Sequence, residues 1–217
     1  MGKVQVGILD GFVGKVGTVV GSFWKGKPVM RAYKRQIGNP QTEAQELVRT
    51  RFSTIGNLAS SFVSAIRIGF KNIARSQKIT EGDYFVKVNW PNVTSDTPGS
   101  STVNYAEFVI AKGNLPEAQF GSPVFSEPLE VSCTMSDTTG MIGADAEDLV
   151  YMFVYSPEAS AGVLGAPQKR SDQSISVSVP AYWNGHRVHA WGFALGNGTD
   201  NKGNTSNSRY LGSGTIS

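Results

Sequence analysis

Cysteine is nearly absent from this chain of 217 residues, which contains only Cys133. One cysteine excludes an internal disulfide framework and a cysteine-rich metal site. Cys133 lies in a stretch where apolar and polar residues alternate, so we expect a small apolar side chain within a strand.

Histidine is almost as scarce, with His186 and His189 three residues apart on one predicted strand. Successive side chains of a strand point to opposite faces, so these imidazoles could not bind one metal ion together. A hydrolase with a Ser–His–Asp triad would have to use one of them, yet the sequence has no G-x-S-x-G motif. We therefore interpret His189 as a core or interface residue.

Long apolar runs are also missing, and none approaches the length of a membrane-spanning helix. The first ten residues lack the continuous apolar core of a secretory signal. We therefore expect a protein without an export signal and without a membrane partner.

Nucleotide and cation motifs are incomplete. Residues 21–27 match G-x-x-x-x-G-K, but a phosphate-binding loop requires Ser or Thr next, whereas Pro28 supplies neither a hydroxyl nor an N–H. Asp145, Glu147 and Asp148 could bind a cation, but EF-hand spacing is absent and a solvated turn is the favoured interpretation. The sequence predicts no cofactor, no metal site and no enzyme.

Positive charge is what the first part of the chain has in excess. Residues 1–90 contain 14 Lys and Arg and 5 Asp and Glu, a net charge of +9, whereas residues 91–217 contain 6 and 12, a net charge of −6. The β-favouring stretches 16–24 and 29–33 predict a hairpin. Around its turn and return strand lie the candidate assembly or polyanion contacts, which are Trp24, Lys25, Lys27, Arg31, Lys34 and Arg35.

Three interpretations of this basic region remain open. It could contact an acidic protein surface, including the acidic half of a neighbouring copy, it could contact nucleic acid, or it could be an ordinary solvated face. Contact with protein ranks above contact with nucleic acid, because no nucleic-acid-binding motif accompanies the charges.

A long amphipathic helix is predicted after the hairpin. Thr42 and Gln45 form a capping box, and the helix would continue to about Ser76 with a break near Gly56. A further short helix is predicted to end before Pro91. Apolar residues recur along the long helix every three or four positions, at Val48, Phe52, Ile55, Ala59, Phe62, Ile66, Phe70 and Ile73.

Residues 94–102 predict a linker, after which the apolar period changes to two. Residues 149–155 are apolar on both faces, as in a central strand, and residues 196–207 predict a long polar hairpin loop. Strands are predicted near residues 108, 130, 152, 177, 191 and 211. The predicted class is α+β, with an N-terminal β-hairpin and helices in a region 1–93 and an all-β immunoglobulin-like sandwich in 103–217.

The glycine-rich segment 2–26, the Thr-Glu-Ala-Gln of 42–45 and the Val-His-Ala-Trp of 188–191 carry a resemblance. They resemble an uncharacterised family of small proteins from Bacteroidetes bacteria and their phages. The resemblance implies a C-terminal immunoglobulin-like sandwich and a prokaryotic or phage setting, and it carries over no catalytic residue. Such sandwiches, joined to helical or hairpin arms, are frequent in phage virions, which is an analogy of architecture alone.

We therefore expect a structural protein of a bacteriophage virion that forms a homo-oligomeric ring or layer, at the neck, tail or capsid, through its N-terminal region. Its partners would be other copies and neighbouring virion proteins, and its location the virion, assembled in the bacterial cytoplasm. The alternative is a bacterial binding module that recognises a glycan or a protein through its loop ends, 137–147 and 196–207. Neither loop contains an aromatic residue, which counts against stacking on a sugar.

Overall fold

The computed structural model describes residues 3–4, 12–24, 26–34, 41–136, 138–198 and 201–217. These residues form four α-helices and several antiparallel sheets, which confirms the predicted mixed α+β class. The chain divides into two compact units, Met1–Thr42 and Glu43–Ser217. This division falls at the start of the first long helix and differs from the predicted regions 1–93 and 103–217.

The first unit is a four-stranded sheet of β1 (Lys3–Val4), β2 (Phe12–Val16), β3 (Val19–Trp24) and β4 (Lys27–Ala32), paired in that order. Gly17 and Gly26 adopt φ values of +60° and +77° in the tight turns that join the last three strands, a conformation that favours glycine. Strands β3 and β4 are the predicted hairpin, and β2 widens it. Gly21 is the one buried residue among those of this unit whose burial the structure describes.

Three consecutive helices replace the single long helix of the prediction: α1 (Glu43–Ser61), α2 (Val63–Gly69) and α3 (Lys71–Gln77). The first begins directly after Thr42, as predicted. The interruptions fall at Phe62 and Phe70 and not near Gly56, which stays helical. Both phenylalanines are fully buried, so the two interruptions lie in the core, whereas the predicted break at a glycine does not occur.

The short helix α4 (Glu81–Asn89) confirms the second helix prediction. The Thr80 hydroxyl caps it by accepting a hydrogen bond from the Asp83 N–H at 3.1 Å. It ends before Pro91, which lies in a single turn of 3-10 helix.

A hairpin of β5 (Val93–Thr97) and β6 (Ser100–Val103) lies where a linker was predicted. Pro98 and Gly99 are true turn residues, with Gly99 at φ +83°, but the threonines and serines on either side pair as strands. The linker prediction was therefore wrong. Only two residues form the turn, whereas the prediction assigned all nine residues of 94–102 to a linker.

The remaining strands are β7 (Gln119–Glu127), β8 (Glu130–Ser136), β9 (Leu149–Ser156), β10 (Ala161–Leu164), β11 (Gln168–Lys169), β12 (Ser174–Ser178), β13 (Arg187–Leu195) and β14 (Arg209–Thr215). One sheet has the order β10-β9-β13-β14, with β11 also paired to β9, and another has the order β12-β8-β7. The strands predicted near residues 130, 152, 177, 191 and 211 are confirmed. No strand lies near residue 108, and β7 was missed because Gly121 and Pro123 interrupt its alternation and coincide with a register shift.

The paired strands β9 and β13 are buried on both faces, as the apolar pattern of residues 149–155 predicts. One face packs against the three-stranded sheet through a core that includes Val131, Cys133, Val150, Met152 and Val177. The other face packs against the helices through a core that includes Phe62, Phe85, Phe153, Trp191 and Phe193. The second unit therefore has three layers, with the five-stranded sheet in the middle.

The loop 196–207 was predicted to be a polar hairpin loop, but its end is built into the second unit. Thr205 and Ser206 are 2% and 1% exposed. The Thr205 hydroxyl lies 3.2 Å from the Gly69 carbonyl and 3.0 Å from the Lys112 carbonyl, to which it donates. The loop is thus tied to the helices and to the segment that precedes β7.

Candidate functional site

The N-terminal sheet presents two chemically different faces, because residues opposite each other in an antiparallel pair project from the same side. The apolar face consists of the paired positions Val16, Val19 and Ala32, then Gly21 and Met30, then Phe23 and Pro28. The basic face consists of the paired positions Lys15, Val20 and Arg31, then Ser22 and Val29, then Trp24 and Lys27.

The apolar face exposes large side chains. Val16 and Met30 are each 54% exposed, and Phe23 is 40% exposed. Only Gly21 is covered, by Phe12: a Cβ atom at position 21 would lie 2.0 Å from the Phe12 carbonyl oxygen, so no larger residue fits there. A contiguous exposed apolar surface is typical of an interaction site.

The basic face combines cations with an aromatic ring. Lys15 Nζ lies 3.6 Å from the centre of the Tyr33 ring, a cation–π contact. The Tyr33 N–H donates to the Thr18 carbonyl at 2.7 Å and so fixes the chain after β4. A cavity of about 690 Å³ on this side is lined by Val20, Arg31, Ala32, Tyr33 and Lys34. The positive charges of Arg31 and Lys34 at this cavity favour the binding of an acidic group.

The structure brings together most of the described residues that the sequence singled out. Trp24, Lys27 and Arg31 share the basic face, and Lys34 lines the cavity beside Arg31. Lys25 and Arg35 lie outside the described residues. Sequence reasoning missed Lys15, which reaches this face only because the two-residue turn after β2 places it opposite Val20.

The two compact units differ in charge. Residues 1–42 contain 7 Lys and Arg and 1 Asp, a net charge of +6, and residues 43–217 contain 13 Lys and Arg and 16 Asp and Glu, a net charge of −3. The basic excess that the sequence places in residues 1–90 is thus concentrated mainly in the N-terminal unit.

Two loops of the second unit meet beside a groove. A cavity of about 460 Å³ is lined by residues 114–116, by 142–145 from one loop, and by Asn201 and Asn204 from the other. An adjoining cavity of about 310 Å³ shares Asn114 and Asn204 and is also lined by Asn72, Ile73, Ser76, Lys112, Gly113 and Thr205. We name the two cavities together the asparagine groove. The loop ends predicted for recognition, 137–147 and 196–207, both contribute to it.

A buried ion pair fixes the loops around the asparagine groove. Arg170 Nε lies 3.2 Å from Asp148 Oδ2, and both side chains are at most 1% exposed. Asp148 Oδ1 accepts a hydrogen bond from Asn201 Nδ2 at 2.9 Å. Arg170 also donates to the Thr138 hydroxyl at 2.9 Å and to the Pro116 carbonyl at 2.8 Å. One pair thus holds three segments that border the groove.

The three carboxylates considered as cation ligands have separate partners. Asp148 pairs with Arg170, Glu147 Oε2 lies 2.8 Å from Lys169 Nζ, and Asp145 Oδ1 accepts from the Glu147 N–H at 2.9 Å. Within the described ranges, no cluster of three or more His, Cys, Asp or Glu side chains could hold a metal ion. In the same ranges, no helix is both long and apolar enough to cross a membrane.

His189 lies in the core between the five-stranded sheet and the helices, as predicted. Its Nδ1 lies 2.8 Å from the Tyr210 hydroxyl, and its ring centre is 4.4 Å from that of Tyr105. Burial, with a smaller contribution from the charge of Arg187, lowers the pKa of His189 to about 4. The imidazole is therefore neutral near pH 7.

The second histidine and the cysteine have other surroundings. His186 precedes β13, with Nδ1 3.2 Å from the Ser156 hydroxyl and Nε2 3.7 Å from a Glu158 carboxylate oxygen. Cys133 lies buried in β8 as expected, and burial raises the pKa of its thiol. The two histidines and Cys133 thus form no common site.

Residues 11–212 match a family of unknown function, DUF6266. The chain belongs to the DUF6266 family. This match confirms the expected membership of an uncharacterised family. It spans the described N-terminal sheet from β2 onward and the whole asparagine groove, so both are parts of the DUF6266 architecture. Comparison with curated proteins finds no match.

Proposed function

We propose that this DUF6266 protein is a structural protein that assembles with copies of itself through its N-terminal sheet. One observation carries the proposal: the described part of that sheet buries a single glycine and exposes an apolar face. Small sheets need a covered hydrophobic face for stability, so a second surface must complete this one. The sequence predicted an assembly role for residues 1–93, and we now propose that the sheet of residues 12–32 makes the contact.

A second copy of the chain is the proposed occupant of the apolar face. The unit that carries the face has a net charge of +6 and the other unit has −3, so the basic unit of one copy is complementary in charge to the larger unit of another. Such a contact joins different surfaces of the two copies and closes into a ring or extends as a layer. Nucleic acid remains the less favoured partner of the basic face.

We also propose a fold type for the second unit and a biological setting for the protein. We assign the second unit to the immunoglobulin-like sandwiches and the protein to a bacteriophage virion, in a neck, tail or capsid-associated layer assembled in the bacterial cytoplasm. Two sheets that share a core support the first assignment, and the resemblance of segment 2–26 to Bacteroidetes and phage proteins supports the second. In this role the protein has neighbouring virion proteins as partners and no catalytic activity.

Light scattering of the full chain with a pair of matched variants tests the assembly. Met30→Glu places a charge on the apolar face, whereas Val124→Glu places one on β7, where the side chain is 43% exposed. We expect the wild type and Val124→Glu to form the same oligomer and Met30→Glu to be a monomer. Monomers at every concentration for the wild type would contradict the assembly.

Mass spectrometry of purified phage particles from a host that carries this gene tests the setting separately. We expect the chain in stoichiometric amounts in the particles. Its absence from the particles, combined with an intact oligomer in solution, would remove the virion role and leave the assembly.

A second candidate function, recognition through the loop ends, is favoured by the asparagine groove. The two loops named in that alternative line one cavity of about 460 Å³. A cavity of this size is within the range of small-molecule sites. Recognition and assembly use different units of the chain and are compatible in one protein.

A further inference from the structure

Several polar groups at the asparagine groove have no hydrogen-bond partner in the described part of the chain. The Asn114 side chain makes no hydrogen bond there, and the Asn204 amide accepts only a long one, of 3.5 Å, from Asn72. Asn201 Oδ1 is shielded from solvent and has no partner. Asp145 binds the Glu147 N–H through Oδ1 and leaves Oδ2 unused.

These unused groups include both donors and acceptors. The amide nitrogens of the exposed Asn114 and Asn204 are donors and Oδ2 of the half-buried Asp145 is an acceptor, whereas Asn201 Oδ1 is shielded from solvent and is not itself a ligand contact. A ligand hydroxyl donates one hydrogen bond and accepts others, so it matches such a mixture better than a group of a single kind. A hydroxyl-rich ligand would satisfy several of these atoms together.

The charge and the apolar surface of the asparagine groove further restrict the chemical class of its ligand. Among the described residues, the larger cavity is lined by the carboxylate of Asp145 and by no cation, whereas Lys112 lines the adjoining cavity, so an anionic group is disfavoured in the larger cavity. Leu115, Pro116 and Ile142 give it an apolar side that can contact the C–H groups of a sugar ring. Of the residues that the structure describes, no aromatic one lines either cavity, so hydrogen bonds rather than stacking must supply the selectivity.

The acceptors are held in place before any ligand binds. Asn201 is fixed by Asp148, which is itself fixed by Arg170. A Cβ atom at Gly198 would lie 2.5 Å from Asp145 Oδ2 and 2.9 Å from Asn201 Oδ1, so the missing side chain lets both acceptors approach the same point of the loop. Such preorganisation lowers the entropic cost of binding.

We infer that the asparagine groove binds a neutral saccharide. The inference rests on the proposed recognition function and deepens it by naming the ligand class. It does not depend on the N-terminal sheet, which belongs to the other compact unit.

Saturation-transfer NMR on the full chain tests the inference and tolerates a large assembly. The probes are neutral linear trisaccharides of glucose, mannose, galactose and N-acetylglucosamine, with sialyllactose as an anionic sugar and trialanine as a peptide. We expect saturable transfer to at least one neutral trisaccharide and weaker transfer to the other two probes. Asn114→Ala and Asp145→Ala should each weaken the binding roughly tenfold, because each removes a hydrogen bond to the ligand.

The control variant is Asn57→Ala, which removes an exposed asparagine on α1 outside the groove and should bind as the wild type does. No saturable binding of any neutral trisaccharide would overturn the inference, and so would a preference for trialanine or sialyllactose. Binding that survives both groove variants would place the sugar elsewhere and overturn it as well. The groove variants should keep the wild-type oligomer, and Met30→Glu should keep saccharide binding, so failure of either proposal is distinguishable from failure of the other.

Discussion

Strands β3 and β9 are both rich in β-branched and aromatic residues, yet their side chains have opposite surroundings. Seven of the eight residues of β9 are buried, whereas one of the six residues of β3 is. The strand β9 lies between two other layers of the second unit, and β3 lies in a sheet that buries almost nothing among the residues described. Local composition thus determines that a strand forms but not what covers it.

The two units of the chain should therefore be stabilised in different ways. The second unit closes its cores with its own side chains and should resist unfolding by itself. Among the described residues of the N-terminal sheet only Gly21 is buried, so under the proposed assembly the stability of this sheet should depend on the concentration of other copies. Four substitutions test whether the two units differ in this way.

Phe62→Ala should have the largest effect, because its ring contacts five aromatic rings at centre distances of 4.7 to 6.2 Å, and these rings come from α4, from residue 108 and from β9 and β13. We expect a loss of about 5 kcal/mol in the free energy of unfolding of the second unit, measured by urea denaturation. A loss below about 1 kcal/mol would show that this core is not what stabilises the unit.

Arg170→Met should come next, because it leaves the Asp148 carboxylate buried without a counterion. We expect a loss of about 3 kcal/mol in the same urea experiment. The double variant Arg170→Met with Asp148→Leu removes both charges and should recover part of the loss. No recovery would mean that the hydrogen bonds made by Arg170 and Asp148, rather than the unpaired charge, carry the effect.

His189 should make the second unit less stable as the pH falls. Its pKa of about 4 in the folded protein is below the ordinary 6.5, so the unfolded state binds the proton first and stability declines between about pH 6.5 and pH 4. We expect the wild type to lose roughly 3 kcal/mol more than His189→Gln over this interval. Equal pH profiles for the two proteins, measured by urea denaturation, would contradict the burial of a neutral imidazole.

Phe23→Ala should have the smallest effect and is the counterpart of Phe62→Ala. Phe23 is 40% exposed on the apolar face, so its loss should change the unfolding free energy of the monomer by less than about 0.5 kcal/mol. The same variant should weaken self-association, measured by analytical ultracentrifugation. A large destabilisation of dilute monomer would show that the N-terminal sheet has an internal cover after all.

Much of the fold was predictable from sequence periodicity. The alternation of β8 and β12, the two-sided apolar pattern of β9 and the capped start of α1 each follow from local residue order. The linker and β7 were mispredicted from local turn residues and an interrupted alternation. The helix interruptions were missed because a sequence window sees Phe62 and Phe70 only as two more apolar positions, whereas in the structure both rings lie fully buried in the core.

The candidate sites were predictable in part. The hairpin pattern placed Trp24, Lys27 and Arg31 near one another, but their common face requires the pairing register of β3 and β4. The asparagine groove was less accessible, because Asn114 and Asn201 are 87 positions apart in the chain. Only the tertiary structure brings such distant loops to one cavity.

Hydrogen exchange of the full chain at two protein concentrations tests the central contrast most directly. Amides of β3 and β4 should become more protected as the concentration rises through the assembly range, whereas amides of β9 and β13 should be strongly protected at both concentrations. Equal and concentration-independent protection of the two regions would show that a second copy does not stabilise the N-terminal sheet.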